Sequence, residues 1–170
     1  MLKAVRGFVR TVDAINAFVG KFAMYLLFVL AAILLYATGS RLFLGVPINW
    51  SLEMSQFVLS AYYLLGGAYS VQMGSHVRMD LFYSRWTPKS RAAIDAFTII
   101  FVIIYLVLLL RGAISSTEYS ITYNQRNYTS WAPVLWPIKV IMTTGIFLML
   151  LQMISQFIKD IALASGKPLT

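Results

Sequence analysis

Apolar residues run almost unbroken through four stretches of the chain, Phe22 to Gly39, Leu52 to Met73, Ala92 to Leu110 and Ala132 to Phe157, with polar and charged residues gathered between them. A helix crossing the hydrocarbon layer of a bilayer needs roughly 20 mainly apolar residues, so each stretch predicts one membrane-spanning helix. Ahead of the first, Met1, Val5, Phe8, Val12, Ile15, Val19 and Phe22 recur at helical period, while Lys3, Arg6, Arg10 and Asp13 fall mostly off that stripe. Residues 1–21 therefore read as an amphipathic helix lying flat on the membrane surface before turning into the first span. A straight extension of that span into water is the alternative.

The spans differ in character. In the second, Glu53, Gln56, Ser60, Gly67, Ser70 and Gly74 recur at spacings of three, four and seven and share one helix face. Small and weakly polar residues let transmembrane helices approach closely where lipid tails give no hydrophobic drive for association, so this face is expected to meet another helix, in this chain or in a partner. The third span is bulky and apolar all round, which suits a lipid-facing helix. Thr87 and Pro88 give it a start signal, as N-cap and first helical residue, and one or two further turns are expected beyond its outer end. The fourth opens on SWAPVLWPIK, where Trp131 and Trp136 suit the interfacial belt. Pro133 or Pro137 can occupy its first turn, and Lys139 can snorkel outward. Gln152, Ser155 and Gln156 bring polarity to its far end.

Composition agrees: of 170 residues, 59% are hydrophobic and only 12% charged, more apolar surface than a soluble domain of this size can hide. The first apolar run follows a basic stretch and ends in small residues, as a signal peptide does, but some 20 residues precede it, too many for an ordinary n-region, so it is read as an uncleaved span. Cysteine is absent, which removes disulfides and thiolate sites.

The net charge of +8 raises the question of nucleic acid, which its distribution answers. Lys3, Arg6, Arg10 and Lys21 precede the first span, Arg78, Arg85, Lys89 and Arg91 lie between the second and third, and Lys159 and Lys167 follow the fourth. The other side receives Arg41, Arg111 and Arg126. Positive residues favour the cytoplasm, so both termini and the 74–91 turn are expected there, with 111–131 outside. The basic excess is explained by topology and anionic phospholipid, with no nucleic acid. The predicted fold is thus an all-α integral membrane protein, residues 1–170 forming one membrane domain of four transmembrane helices plus the N-terminal amphipathic helix.

Candidate chemistry is sparse. His76 and Asp80 are four apart and could pair as a base and its orienter, but a lone histidine in a polar turn is more often a solvated surface residue. Met79, Phe82, Tyr83 and Trp86 share a helical face opposed by Arg78 and Arg85, the pattern of a short interfacial helix with arginines on phosphates. Glu53 is costly near a span unless solvated, paired or helix-capping. It can sit in the first turn of its helix, pair with Arg111, Arg126, Lys139 or a partner chain, or relay a proton or cation. Asp95 is expected to form a helix-end pair with Arg91. One histidine and no cysteine exclude the usual zinc sites, no phosphate loop or HExxH helix occurs, and no cofactor is implied. Asn49-Trp-Ser and Asn127-Tyr-Thr match a glycosylation sequon with many chance matches. No enzyme chemistry is visible.

Three stretches carry a resemblance: NWSLEMSQF opening the second span, LLGGAYSVQMGSHVRMDLFYSRWTPKSR running into the basic turn, and WAPVLWPIKVIMTTG opening the fourth. Together, in this order, they resemble the small membrane subunit, DctQ type, of tripartite ATP-independent periplasmic (TRAP) transporters, over nearly the whole chain. The resemblance implies a bacterial or archaeal cytoplasmic membrane, a large DctM-type subunit that carries the sodium and substrate sites, and a periplasmic DctP-type protein that delivers the solute, often a carboxylate. The small subunit is implied to brace the large one and to help form the docking surface. Residue by residue, Trp50, Glu53 and Gln56 match the family's start of the second span and are expected, with Ser60, Gly67, Ser70 and Gly74, to face the large subunit. His76, Arg78 and Asp80 match its cytoplasmic turn, in a structural role, and residues 118–131 are the candidate surface for the binding protein. Two other classes compete: a self-sufficient four-helix exporter, two copies of which surround Glu53 and exchange protons for a lipophilic cation, and a structural subunit of some other membrane complex.

Overall fold

The computed structural model describes residues 2–74 and 88–164. Among them are four α-helices: α1 (Leu2–Gly39), α2 (Ser51–Gln72), α3 (Pro88–Thr122) and α4 (Trp136–Ala164). A wider π-helical turn, Ser40–Leu44, prolongs α1 and stops at Gly45, whose φ of +66° only glycine adopts without strain. The sole strand-like pairing among the described residues is the isolated bridge between Arg126 and Val134.

The helices run up and down. Asp13, near the start of α1, meets Lys159, near the end of α4, while Thr117, near the end of α3, meets Thr143, early in α4. α4 is the hub, packing on α1, α2 and α3, whereas α3 packs chiefly on α4. Of the most apolar window in each, 39% of residues are buried in α4 against 11% in α3, which leaves α3 with the outward-facing surface expected of it. Leu106 and Ala113 of α3 close onto Ile146, Leu150 and Met153 of α4, with Val71 of α2 completing the cluster.

Among the described residues three helices are long and apolar enough to cross a membrane: Val5–Leu44, Phe97–Thr122 and Trp136–Leu163. The second expected span is the exception. α2 has 22 residues, about 33 Å at 1.5 Å per residue and sufficient for a bilayer, but its serines, glutamines and tyrosines lower its hydropathy below that of the other three. The physical reason lies in its position: it is wedged between α1 and α4 and exposes less surface to whatever surrounds the bundle.

Other boundaries also differ from expectation. No break follows residue 21, because the amphipathic segment and the first span are one helix of 38 residues. The face that packs on the other helices lies largely beside the apolar stripe expected to meet the membrane surface. Val9, Val12, Asn16 and Ala23 are buried, while Phe8, Ile15 and Phe22 are exposed. α3 starts at Pro88, the first helical residue that the Thr87-Pro88 signal predicts, but continues twelve residues past Leu110, further than the one or two extra turns expected. Nothing in RGAISSTEYSIT breaks a helix except Gly112, and one glycine costs only about 1 kcal/mol.

Candidate functional site

α2 is the element that sequence marks as partner-facing, and its position follows from glycines. A Cβ at Gly145 of α4 would stand 2.8 Å from the Leu64 carbonyl oxygen. One at Gly20 of α1 would overlap the side chain of Tyr69. Both helices therefore approach α2 to distances that only glycine permits, the small-residue mode of membrane packing. With its flanks taken by α1 and α4, α2 keeps one free stripe, Leu52, Gln56, Leu59, Ser60 and Tyr63, all exposed and on one face at 100° per residue. Below it a groove of about 600 Å³ is bordered by Tyr63, Gly66, Gly67, Ser70 and Met73, with Met24 across from them on α1.

The residues expected to form one partner-facing set are thus divided. Gln56 and Ser60 are exposed on the free stripe, Ser70 is half-buried in the groove, and Gly74 is exposed where α2 ends with φ +66°. Gly67 also lines the groove, but it lies beside Met149 of α4. Trp50 is 37% exposed and stacks on Tyr36, ring centroids 6.4 Å apart. Glu53 is only 5% exposed, so it faces the chain's own interior.

Glu53 occupies the first turn of α2, as one sequence reading requires. Its Oε2 has no hydrogen-bond donor in the structure, and none of Arg111, Arg126 or Lys139 forms an ion pair with it. The Lys139 amine instead donates to Gln125 Oε1 (3.0 Å) and the Ser116 carbonyl (3.4 Å), tying α4 to the loop and to α3. Neighbouring hydroxyls turn back on the backbone: Ser51 donates to the Ile48 carbonyl and Ser55 to that of Ser51.

Two polar clusters clamp the bundle. At one end the Asn16 amide donates to Gln152 Oε1 (2.6 Å), Gln152 and Ser155 donate to Asp13 Oδ1 (3.0 and 3.3 Å), and Lys159 pairs with Asp13 Oδ2 at 2.5 Å. Asn16, Gln152 and Ser155 are fully buried, where unpaired polar groups are costly, and only the Asn16 Oδ1 among their side-chain atoms is left without a donor. At the other end Thr117 and Thr143 hydroxyls lie 2.9 Å apart, and Ser120 donates to Gln125 Oε1 (2.7 Å). There the chain reverses through residues 123–135: Leu135 N–H donates to the Gln125 carbonyl and Asn127 N–H to that of Pro133, with Asn124 and Ala132 at positive φ. Trp131 and Trp136 are both exposed beside this loop.

Sequence reasoning noted the polarity of Gln152, Ser155 and Gln156 but missed their partners. The signal available was a match of spacing: Asp13 and Asn16 on one apolar helix, Gln152, Ser155 and Lys159 on another. Gln156 itself donates within α4, to Asp160. His76, Arg78, Asp80, Arg85 and Trp86 lie outside the described residues, as does Thr87, and so does the side chain of Arg91, the expected partner of Asp95. No group of three or more His, Cys, Asp or Glu side chains that could hold a metal ion occurs among the described residues. What the arrangement offers is close-packed helices, two polar clamps and a helix face left open.

Residues 30–163 match the family model described as tripartite ATP-independent periplasmic transporters, DctQ component. The chain belongs to the DctQ family. No curated protein and no solved structure matches it. As a DctQ component the chain is the small subunit of a TRAP transporter, and DctQ is a family of transporter parts, not of enzymes. The matched stretch begins within α1 and includes the whole of α2 and α3. Asp13, Asn16 and Gly20, which fasten the first half of α1 to the rest, precede it.

Proposed function

We propose that the chain is the accessory scaffold of a TRAP-type secondary transporter. It braces a large, sodium-coupled DctM-type subunit for uptake of an organic acid that a DctP-type periplasmic protein delivers. The observation that carries this reading is the free stripe of α2. A helix fixed on both flanks by glycine contacts still presents Gln56, Ser60 and Tyr63 outward, polar and aromatic groups suited to a partner helix and wasted on lipid. Family membership supports a DctM-type subunit as that partner.

All four helices span the inner membrane in this reading, α2 included, with both termini in the cytoplasm. The Asp13–Lys159 clamp places Arg6, Arg10 and Lys159 toward one end of the bundle, and positive residues favour the cytoplasmic side. The 123–135 loop then faces the periplasm, where it and the end of α3 offer the surface for the binding protein. The phospholipid contacts proposed for Arg85, Trp86, Trp131 and Trp136 follow from the same topology.

Tagging the chain, extracting it gently from native membranes and identifying bound proteins by mass spectrometry tests the proposal. A stoichiometric large membrane protein is the expected result. Recovery of a self-oligomer alone, with transport in liposomes lacking any partner and lost in Glu53→Gln, would overturn it in favour of an exporter.

A further inference from the structure

α1, α2, α4 and the 123–135 loop enclose a second groove, of about 710 Å³, within the roughly 300–1,000 Å³ of small-molecule sites. Its walls are apolar: Phe22 of α1, Met54, Val58 and Leu65 of α2, and Ile141 of α4. Along α2 the lining runs from Met54 to Leu65, a span of about 16 Å at 1.5 Å per residue. One leaflet contributes half of the roughly 30 Å hydrocarbon thickness. The groove therefore has the length of one acyl chain.

Charge distinguishes its two ends. Arg126 is the only charged residue in the lining, and it stands on the loop beside Trp131. No carboxylate among the described residues forms an ion pair with it. A guanidinium matches the geometry of a phosphate, and a tryptophan ring settles at headgroup depth. A small free anion would engage Arg126 and leave the apolar length empty, whereas a molecule with a phosphate at one end and a hydrocarbon tail satisfies both. We propose that this groove is a phospholipid site, holding one acyl chain of an outer-leaflet lipid with Arg126 on its phosphate. The proposal rests on the outward placement of the loop argued above. It gives the chain a bound lipid that fills the space between three helices and stiffens the scaffold from within.

The test uses the complex with its large partner, reconstituted in phosphatidylglycerol nanodiscs doped with a diazirine-acyl phosphatidylglycerol and then extracted into mild detergent. Photolysis after extraction reports only retained lipid. Cross-links are expected on Met54, Phe57, Val58, Ala61 and Leu65 and on Ile141, and not on Phe101 or Leu108 of the outward face of α3. Native mass spectrometry should show one phospholipid per small subunit. Arg126→Gln should reduce the retained fraction about tenfold or more, the scale of one charge-assisted hydrogen bond, and Val58→Trp, which fills the groove, should abolish it.

Since Val58→Trp can disturb packing, the wild-type cross-linking pattern serves as an independent measurement. Labels spread equally over the groove and α3, or a groove occupied by a segment of the large partner, would overturn the lipid site and leave the accessory role standing. Absence of the large partner at purification overturns that role instead, and the same photolysis on the chain alone still decides the groove.

Discussion

Gly145 meets an obstacle that no rotamer change can move. Since the atom 2.8 Å from its hypothetical Cβ is a backbone oxygen, Gly145→Ala must push α2 and α4 apart. The expected cost is about 1–3 kcal/mol, the range of overpacked cores, read as a lower thermal-unfolding midpoint in detergent. Gly112→Ala is the comparison: nothing lies within 4 Å of its Cβ, and alanine favours helix over glycine, so stability should hold or rise slightly. Equal losses in both would refute the close approach. Neither glycine stands out in the sequence, because a helical pattern records what a residue is and not how near the next backbone comes. Glu53 was legible as unusual and as a first-turn residue. That it turns inward, away from Arg111, Arg126 and Lys139, depends on the angle at which α2 is held between its neighbours.

At the scale of elements, α1 shows how a hydropathy pattern is to be read in a membrane. The stripe through Phe8, Ile15 and Phe22 was expected to meet the membrane surface, and these residues are exposed, while the helix packs through Val9, Val12, Asn16, Gly20 and Ala23. Lipid is as apolar as phenylalanine, so bulk marks the surroundings, whereas small and polar residues mark the contact. The existence of the helices was legible because length and hydropathy determine it, and α3 as the outward-facing helix was legible for the same reason. The continuity of α1 was not, since nothing at residue 21 favours or forbids a bend. α3 offers a test through its attachment to α4. The chain has no cysteine, so Thr117→Cys with Thr143→Cys introduces one pair where two hydroxyls lie 2.9 Å apart. Oxidation should join the two helices, detected as retained linkage after cleavage at a protease site placed in the 123–135 loop. Failure to cross-link would mean that the two helices are not held in this register.

For the whole molecule, the proposed four-span topology predicts that the two ends of the bundle are chemically distinguishable. Tyr128 is fully exposed on the loop, and Gly7 is exposed near the start of α1 with open space around its Cβ. A cysteine at Tyr128 is expected to react with a membrane-impermeant maleimide in cells with a permeable outer membrane, and one at Gly7 only after the inner membrane is opened. Reaction of both from outside would remove α2 from the set of spanning helices, the one helix whose composition leaves the question open.

That composition bears on how the chain is made. Helices enter the bilayer in the order of synthesis, so each can lean only on those already present. α2, the least apolar, emerges when α1 is in place, and the Gly20–Tyr69 contact gives it somewhere to go. α3 emerges before α4, the one helix on which it chiefly packs, and must wait among lipid tails until that partner arrives. Its unbroken coat of isoleucine, leucine, valine and phenylalanine is what allows a helix to wait there alone.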